Sequence, residues 1–255
     1  MGLDPPLAYP LIMLAAIGTA LWLGRGAQAS LGLTRRERTL IRLGAFCGAM
    51  IGAKLPFALA DWPGLLTGRV WLENGKTLVF GLVGGYAGVE VIKAYLGVEA
   101  KTGDGFAVPV AAAVGVGRLS CFVAGCCHGS PTHLPWAVDF GDGIRRHPTQ
   151  LYELAFHLTM AGLLAWFARR GWFRRQRFKV YLLAYLAYRF LSETIRPEPR
   201  LALGLTGYQW ACLALMPVVG LLWWADARSG RGQAPSSRAS STIASALPID
   251  RASIE

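Results

Sequence analysis

An apolar run from Phe106 to Val116 ends in Gly117-Arg118, and the next eleven positions bring Cys121, Cys126, Cys127, His128 and Gly129. A guanidinium inside an apolar segment costs about 2.5–3.5 kcal/mol on insertion scales. A chain keeps one where it faces a polar cavity or an anion, or where it reaches from a helix end to the lipid headgroups. Further along, Tyr185, Arg189, Glu193 and Arg196 recur at three- and four-residue spacing, which puts them on one helix face. Arg189 and Glu193 are expected to pair, because charges within a membrane pair. Arg196 opens Arg196-Pro197-Glu198-Pro199 on the same membrane side as Arg118. Two arginines converging on one place suit a phosphate, since each can donate two parallel bonds. A third constellation is His147-Pro148-Thr149-Gln150-Leu151-Tyr152-Glu153. Proline followed by threonine suits a helix start, which leaves His147 at the membrane interface as a general base or a helix-orienting group. Lys54 adds a cation within an apolar run.

The thiols need separate treatment. Cys47 and Cys212 lie in apolar runs and read as packing residues. Cys121, Cys126 and Cys127, with His128, fit three roles: a small lining of a lipid cavity, a redox pair, or ligands for a soft metal. Their spacing is not a zinc-finger pattern, so no metal and no cofactor is assigned from sequence.

These groups must be positioned by membrane helices. The chain has 255 residues, 53% hydrophobic and 16% charged, with mean hydropathy +0.37. Soluble domains carry about 25% charge. Seven apolar segments, at 8–24, 39–60, 77–96, 106–127, 150–168, 178–195 and 204–224, approach the length that spans a bilayer. The expected fold is an all-α integral membrane bundle of seven transmembrane helices, residues 1–226. A Ser/Ala/Arg/Gly-rich tail, 227–255, is expected to be disordered. The net charge of +11 does not point to nucleic acid. It gathers in alternate short loops: Arg25, Arg35, Arg36 and Arg38; Lys101; and Arg169, Arg170, Arg174, Arg175 and Arg177. That parity predicts the N-terminus outside and the C-terminus and tail in the cytoplasm.

With these motifs in place, the chain resembles the prolipoprotein diacylglyceryl transferase family over roughly residues 9–222. The resemblance rests on Gly52-Ala53-Lys54-Leu55, Gly81-Leu82-Val83-Gly84-Gly85, Gly117-Arg118 through Gly129, the His147–Glu153 string, and Tyr188-Arg189-Phe190 to Arg196. It implies a multi-pass protein of the bacterial inner membrane. The implied reaction moves the diacylglyceryl group of phosphatidylglycerol onto the thiol of a lipoprotein precursor, or another thiol acceptor. Arg118 and Arg196 match the family's essential arginines, Tyr9 its first-helix tyrosine and Gly129 the glycine closing its signature. Lys54, Gln150, Tyr152, Glu153, Arg189 and Glu193 would shape the substrate cavity. The chain also departs from the family. Val79 stands near the family's histidine, Cys121 replaces a signature asparagine and Cys126 a signature glutamate. His128 or His147 is therefore the candidate base. Two alternatives remain: a membrane redox or metal-handling protein centred on Cys121, Cys126, Cys127 and His128, and a catalytically inactive lipid-binding relative.

Overall fold

The computed structural model describes residues 5–26, 31–72, 75 and 77–229. Nine α-helices are described: α1 (Pro5–Gly24), α2 (Arg35–Ala60), α3 (Trp62–Leu66), α4 (Arg69–Leu72), α5 (Leu78–Leu96), α6 (Gly103–Val123), α7 (Thr149–Arg170), α8 (Arg177–Ser192) and α9 (Gly207–Ser229). Six of them, α1, α2, α5, α6, α7 and α9, are long and apolar enough to cross a membrane. The remaining expected span, the sixth at 178–195, coincides with α8. Its helix is only 16 residues long and carries Arg177, Lys179 and Arg189, so it falls short on length. A 3-10 turn, Glu193–Ile195, continues it.

α6 is the central element, packed against α1, α7 and α8, while α2 pairs with α5 and α8 with α9. The core is built mainly from α5 to α9, with Leu164, Tyr181, Tyr185 and Leu186 almost wholly enclosed. Leu11, Leu14, Leu21 and Trp22 of α1 and Leu221 and Trp224 of α9 are exposed. Apolar residues facing outward on such helices suit a lipid surround, where only a helix or closed barrel satisfies its own backbone. The α2–α5 pair is held by close backbone approach. A Cβ on Gly84 would lie 2.4 Å from Gly48 O, so no side chain fits there. Gly44, Gly48 and Gly52 on α2 face Gly84 and Gly88 on α5, the small-residue spacing that lets membrane helices pack by van der Waals contact.

The predicted fourth span ran to residue 127, but α6 ends at Val123. The cause is local. Gly125 adopts φ +63°, and its N–H donates to Phe122 O while Cys126 N–H donates to Cys121 O, at 3.1 Å each. This paired closure ends a helix on a left-handed residue that glycine adopts without strain. Cys126, Cys127 and His128 thus lie on a loop. At the far end, α9 continues to Ser229, past the predicted boundary at 226; the remainder of the predicted tail, 230–255, lies outside the described residues.

A small cap follows the α6 loop. Among the described residues its two strands, β1 (Val138–Asp139) and β2 (Arg145–Arg146), pair antiparallel and are the exception to an otherwise helical chain. Asp139 Oδ1 accepts from the backbone N–H of Gly141, Asp142 and Gly143, which holds the turn. The cap is tied to the bundle where Ser130 N–H donates to Ile195 O at 2.8 Å and Gly129 N–H to His147 O at 2.8 Å. At the opposite end of the bundle, Asp226 pairs with Lys101 (2.7 Å) and Lys179 (2.5 Å), and Asp104 with Arg177 (3.1 Å).

Candidate active site

The Glu153 carboxylate is the hub of the site. It is fully buried near the start of α7. Oε2 pairs with Arg118 Nε of α6. Oε1 lies 3.4 Å from Arg189 Nη1 of α8 and 3.4 Å from Arg196 Nη2, and it accepts from the Tyr185 hydroxyl at 3.3 Å. Arg189 also pairs with Glu193 at 2.8 Å, as expected from their spacing, and its guanidinium lies 4.7 Å from the Tyr208 ring. Three guanidiniums therefore meet the carboxylates of Glu153 and Glu193, and a third carboxylate, Glu198, lines the cavity beside them. Guanidiniums gathered at one place can offer an anion parallel N–H donors.

Arg118, Arg189 and Arg196 line a cavity of about 320 Å³ together with Val79, Cys127, His128, Tyr185 and Tyr208. Arg196 is buried, yet its Nε and Nη2 have no hydrogen-bond partner. Nη2 is within ion-pair distance of Glu153 but out of hydrogen-bond alignment. Two enclosed N–H groups without partners cost about 1–3 kcal/mol each, on a residue that lines the cavity. Arg196 is fixed through its neighbour, Ile195, whose carbonyl accepts from Ser130 of the cap.

The His147–Glu153 string holds this arrangement together. Thr149 Oγ1 donates to Cys127 O at 2.7 Å and Gln150 Nε2 to Cys126 O at 2.5 Å, clamping the cysteine loop onto α7. The Tyr152 hydroxyl accepts from Trp136 Nε1 at 2.7 Å and lies 3.3 Å from His147 Nδ1. Gly129 leaves no room for a side chain: a Cβ there would stand 2.7 Å from both His147 Cβ and Ile195 O.

The two candidate bases differ in place. His128 is in the cavity wall. Its Nδ1 lies 3.3 Å from Gly129 O. A carbonyl only accepts, so in the neutral ring Nδ1 carries the proton and Nε2 the lone pair. His147 is spent on Tyr152 and the Gly129 contact and does not line the cavity. Two further expected site residues also stand apart. Lys54 is buried and donates to Val70 O at 2.8 Å, so it anchors the α3–α4 segment. Tyr9 on α1 lies beside Ser120 and the thiols rather than in the cavity wall.

The three thiols come together more closely than their spacing implied. The sulfurs of Cys121, Cys126 and Cys127 lie within 4.8 Å of one another, and all five cysteines are free. Arg118 Nη1 donates to Cys121 Sγ at 3.8 Å. The Cys127 thiol has its pKa pushed up chiefly by its hydrogen bond to Cys121.

Tyr185, Tyr208 and His157 were not chosen as site residues from sequence. Tyr185 shares the Arg189 face, and Tyr208 is reached only through the α8–α9 packing. His157, one turn beyond Glu153, is fully buried against the Tyr181 hydroxyl at 3.0 Å. The i, i+4 spacing from Glu153 was the available signal.

A polytopic helical membrane protein with a buried arginine cluster open to a cavity defines a class that handles an anionic, lipid-borne group. The comparisons narrow the class. The family described as prolipoprotein diacylglyceryl transferase matches residues 7–225, and the chain belongs to that family. Relatives named phosphatidylglycerol–prolipoprotein diacylglyceryl transferase include one from Clostridium tetani, 33% identical over 60% of this chain and 66% of its own length. One from Vibrio atlanticus is 31% identical over 78% and 77%, and one from Polynucleobacter necessarius is 31% identical over 82% and 86%.

Proposed function

We propose that this protein transfers the diacylglyceryl group of phosphatidylglycerol to the cysteine thiol of a lipoprotein precursor. The observation that carries the reading is Arg196, which lines a cavity with Arg118 and Arg189 and keeps two enclosed donors without partners. Seated there, the lipid phosphodiester would accept from the guanidiniums that line the cavity. In the reaction a thiolate attacks the glyceryl carbon bonded to the phosphate oxygen. A C–S bond forms, the C–O bond breaks, and its electron pair leaves on glycerol phosphate. The charge gained by the phosphate develops against preorganised guanidiniums, which is where electrostatic catalysis is strongest. His128 Nε2 takes the thiol proton, because the thiol itself is a weak nucleophile. Val79, in the wall where the family resemblance places a histidine, cannot do so.

The arrangement in the membrane follows the same reading. α8 and its 3-10 turn run from Arg177 to Ile195, about 28 Å at 1.5 Å per residue, near the thickness of a hydrocarbon core. This supports seven crossings of the inner membrane, with the N-terminus, cysteine loop and cap outside. The arginine-rich loops and the tail lie in the cytoplasm.

The test is transfer of label from acyl-labelled phosphatidylglycerol to a lipobox peptide by the purified protein. Transfer should disappear in Arg118→Ala and Arg196→Ala. It should fall about 10²–10⁴-fold in His128→Ala, the range for losing a general base, and much less in His147→Ala. An unlabelled peptide, alongside an active relative under the same conditions, would overturn the reading. Equal losses in the two histidine variants would remove His128 from its role.

A further inference from the structure

We propose that Cys121, Cys126 and Cys127 form a three-coordinate thiolate site for a soft monovalent d10 cation of the Cu(I) kind. The inference stands on geometry; since Cys127 lines the arginine cavity and Arg118 reaches Cys121, the loaded site and an anionic lipid would oppose each other there. The three sulfurs lie within 4.8 Å of one another. Sulfurs each about 2.3 Å from a common metal stand about 4 Å apart in a trigonal plane, so small side-chain rotations close the site.

The backbone is already folded for it. The helix-ending bond from Cys126 N–H to Cys121 O brings residues five apart onto one turn. Cys127 then takes φ +60°, uncommon for a side chain other than glycine, and turns back toward Cys121. Gln150 and Thr149 fix the carbonyls of Cys126 and Cys127, so the loop is held from α7. The Arg118 donor on Cys121 Sγ is an outer contact of the kind that stabilises a thiolate ligand. Cys126 and Cys127 are exposed, which gives an ion access.

The donor set selects the ion. Three sulfurs and no harder ligand favour a soft cation. Zn(II) prefers four ligands in a tetrahedron, and among the described residues no histidine or carboxylate joins the group. Binding displaces three thiol protons to solvent and leaves the metal's oxidation state unchanged. The bound site, three thiolates around one monovalent cation, carries two negative charges beside Arg118.

The experiment titrates the full-length protein, reduced and in detergent, with Cu(I) against a chromophoric Cu(I) chelator. One equivalent per chain should be withheld from the chelator. It should be lost in each of Cys121→Ser, Cys126→Ser and Cys127→Ser and kept in the Cys47→Ser/Cys212→Ser double variant. X-ray absorption on the loaded wild-type protein, which needs no substitution, should show three sulfur neighbours and no nitrogen. Binding that survives loss of the loop cysteines, binding that vanishes with Cys47 and Cys212, a two-coordinate or nitrogen-containing shell, or a preference for Zn(II) would each overturn the proposal.

Discussion

Two helix interfaces in this bundle solve the same packing problem by opposite means. Between α2 and α5 there is almost nothing but backbone: Gly48 and Gly84 meet so closely that neither tolerates a Cβ. The adjoining cavity, lined by Ala45, Ala49 and Gly81 among others, is about 80 Å³ and apolar. Where α6, α7 and α8 meet, long charged side chains fill the space, and Arg118, Glu153 and Arg189 bridge all three helices. Lipid offers no hydrophobic gain for bringing helices together, so contact must come from close packing or from polar bonds. The first interface takes the former route, and the hydroxyl of Thr77 at the start of α5 is its one buried polar side-chain atom without a partner among the described residues. The second takes the latter and ends with arginines lining a cavity, one of them with enclosed donors left without partners. The difference separates the part of the molecule that holds its shape from the part that binds.

Glu153→Gln should give the largest effect. The substitution keeps the shape and removes the charge, leaving Arg118, Arg189 and Arg196 against Glu193 alone. Breaking a buried ion pair from one side costs about 3–5 kcal/mol, and here one carboxylate serves three partners. Thermal unfolding in detergent should shift strongly, and any protein that folds should fail to transfer lipid. A variant with wild-type stability would mean that the three arginines are solvated rather than held by Glu153.

Gly84→Val tests the other interface. The new Cβ would lie 2.4 Å from Gly48 O and 2.8 Å from Gly52 Cα, so the two backbones must separate. Overpacking of this kind costs about 1–3 kcal/mol. The unfolding midpoint should fall by less than in Glu153→Gln, and the folded fraction should continue to turn over. If Gly84→Val abolished transfer at unchanged stability, the division between a holding and a binding interface would fail.

The two interfaces were also unequally legible in the sequence. Charge is conspicuous in an apolar segment, so Arg118, Arg189, Glu193 and Arg196 stood out by type and spacing alone. Glu153 was visible only as one polar residue among several in the His147–Glu153 string. That it joins all three arginines depends on how α7 sits between α6 and α8, which no local pattern encodes. His128 and His147 looked equivalent; the turn at Gly125 and the bond to Tyr152 decide which one meets the cavity. The Gly44/Gly48/Gly52 spacing was present but silent, since glycine in a membrane helix carries no chemistry to draw the eye. The span count differed at α8 because its charges and short helix weaken the apolar signal, although its burial makes it the core of the site.

The smallest effect belongs to a third setting, an ion pair at the surface of the cap, with Asp142 half exposed. Asp142 accepts from Arg146 Nη1 at 2.6 Å in the cap hairpin. This bond holds its pKa down at about 2, with help from the Ile144 N–H. A carboxylate whose folded pKa is depressed adds stability above its unfolded pKa, about 3.9, and loses that contribution as pH falls through about 2. The hairpin should therefore be unchanged from neutral pH down to about 5 and loosen only in strong acid. Asp142→Asn should remove this acid dependence while leaving the midpoint at neutral pH nearly unaltered, because exposed pairs are screened by water and salt. Carboxyl chemical shifts read the titration directly. A midpoint near the ordinary aspartate value would show that the pair does not persist in solution. It would leave Asp139, with its three backbone N–H bonds, as the residue that holds the turn and, through it, the strap that positions Arg196.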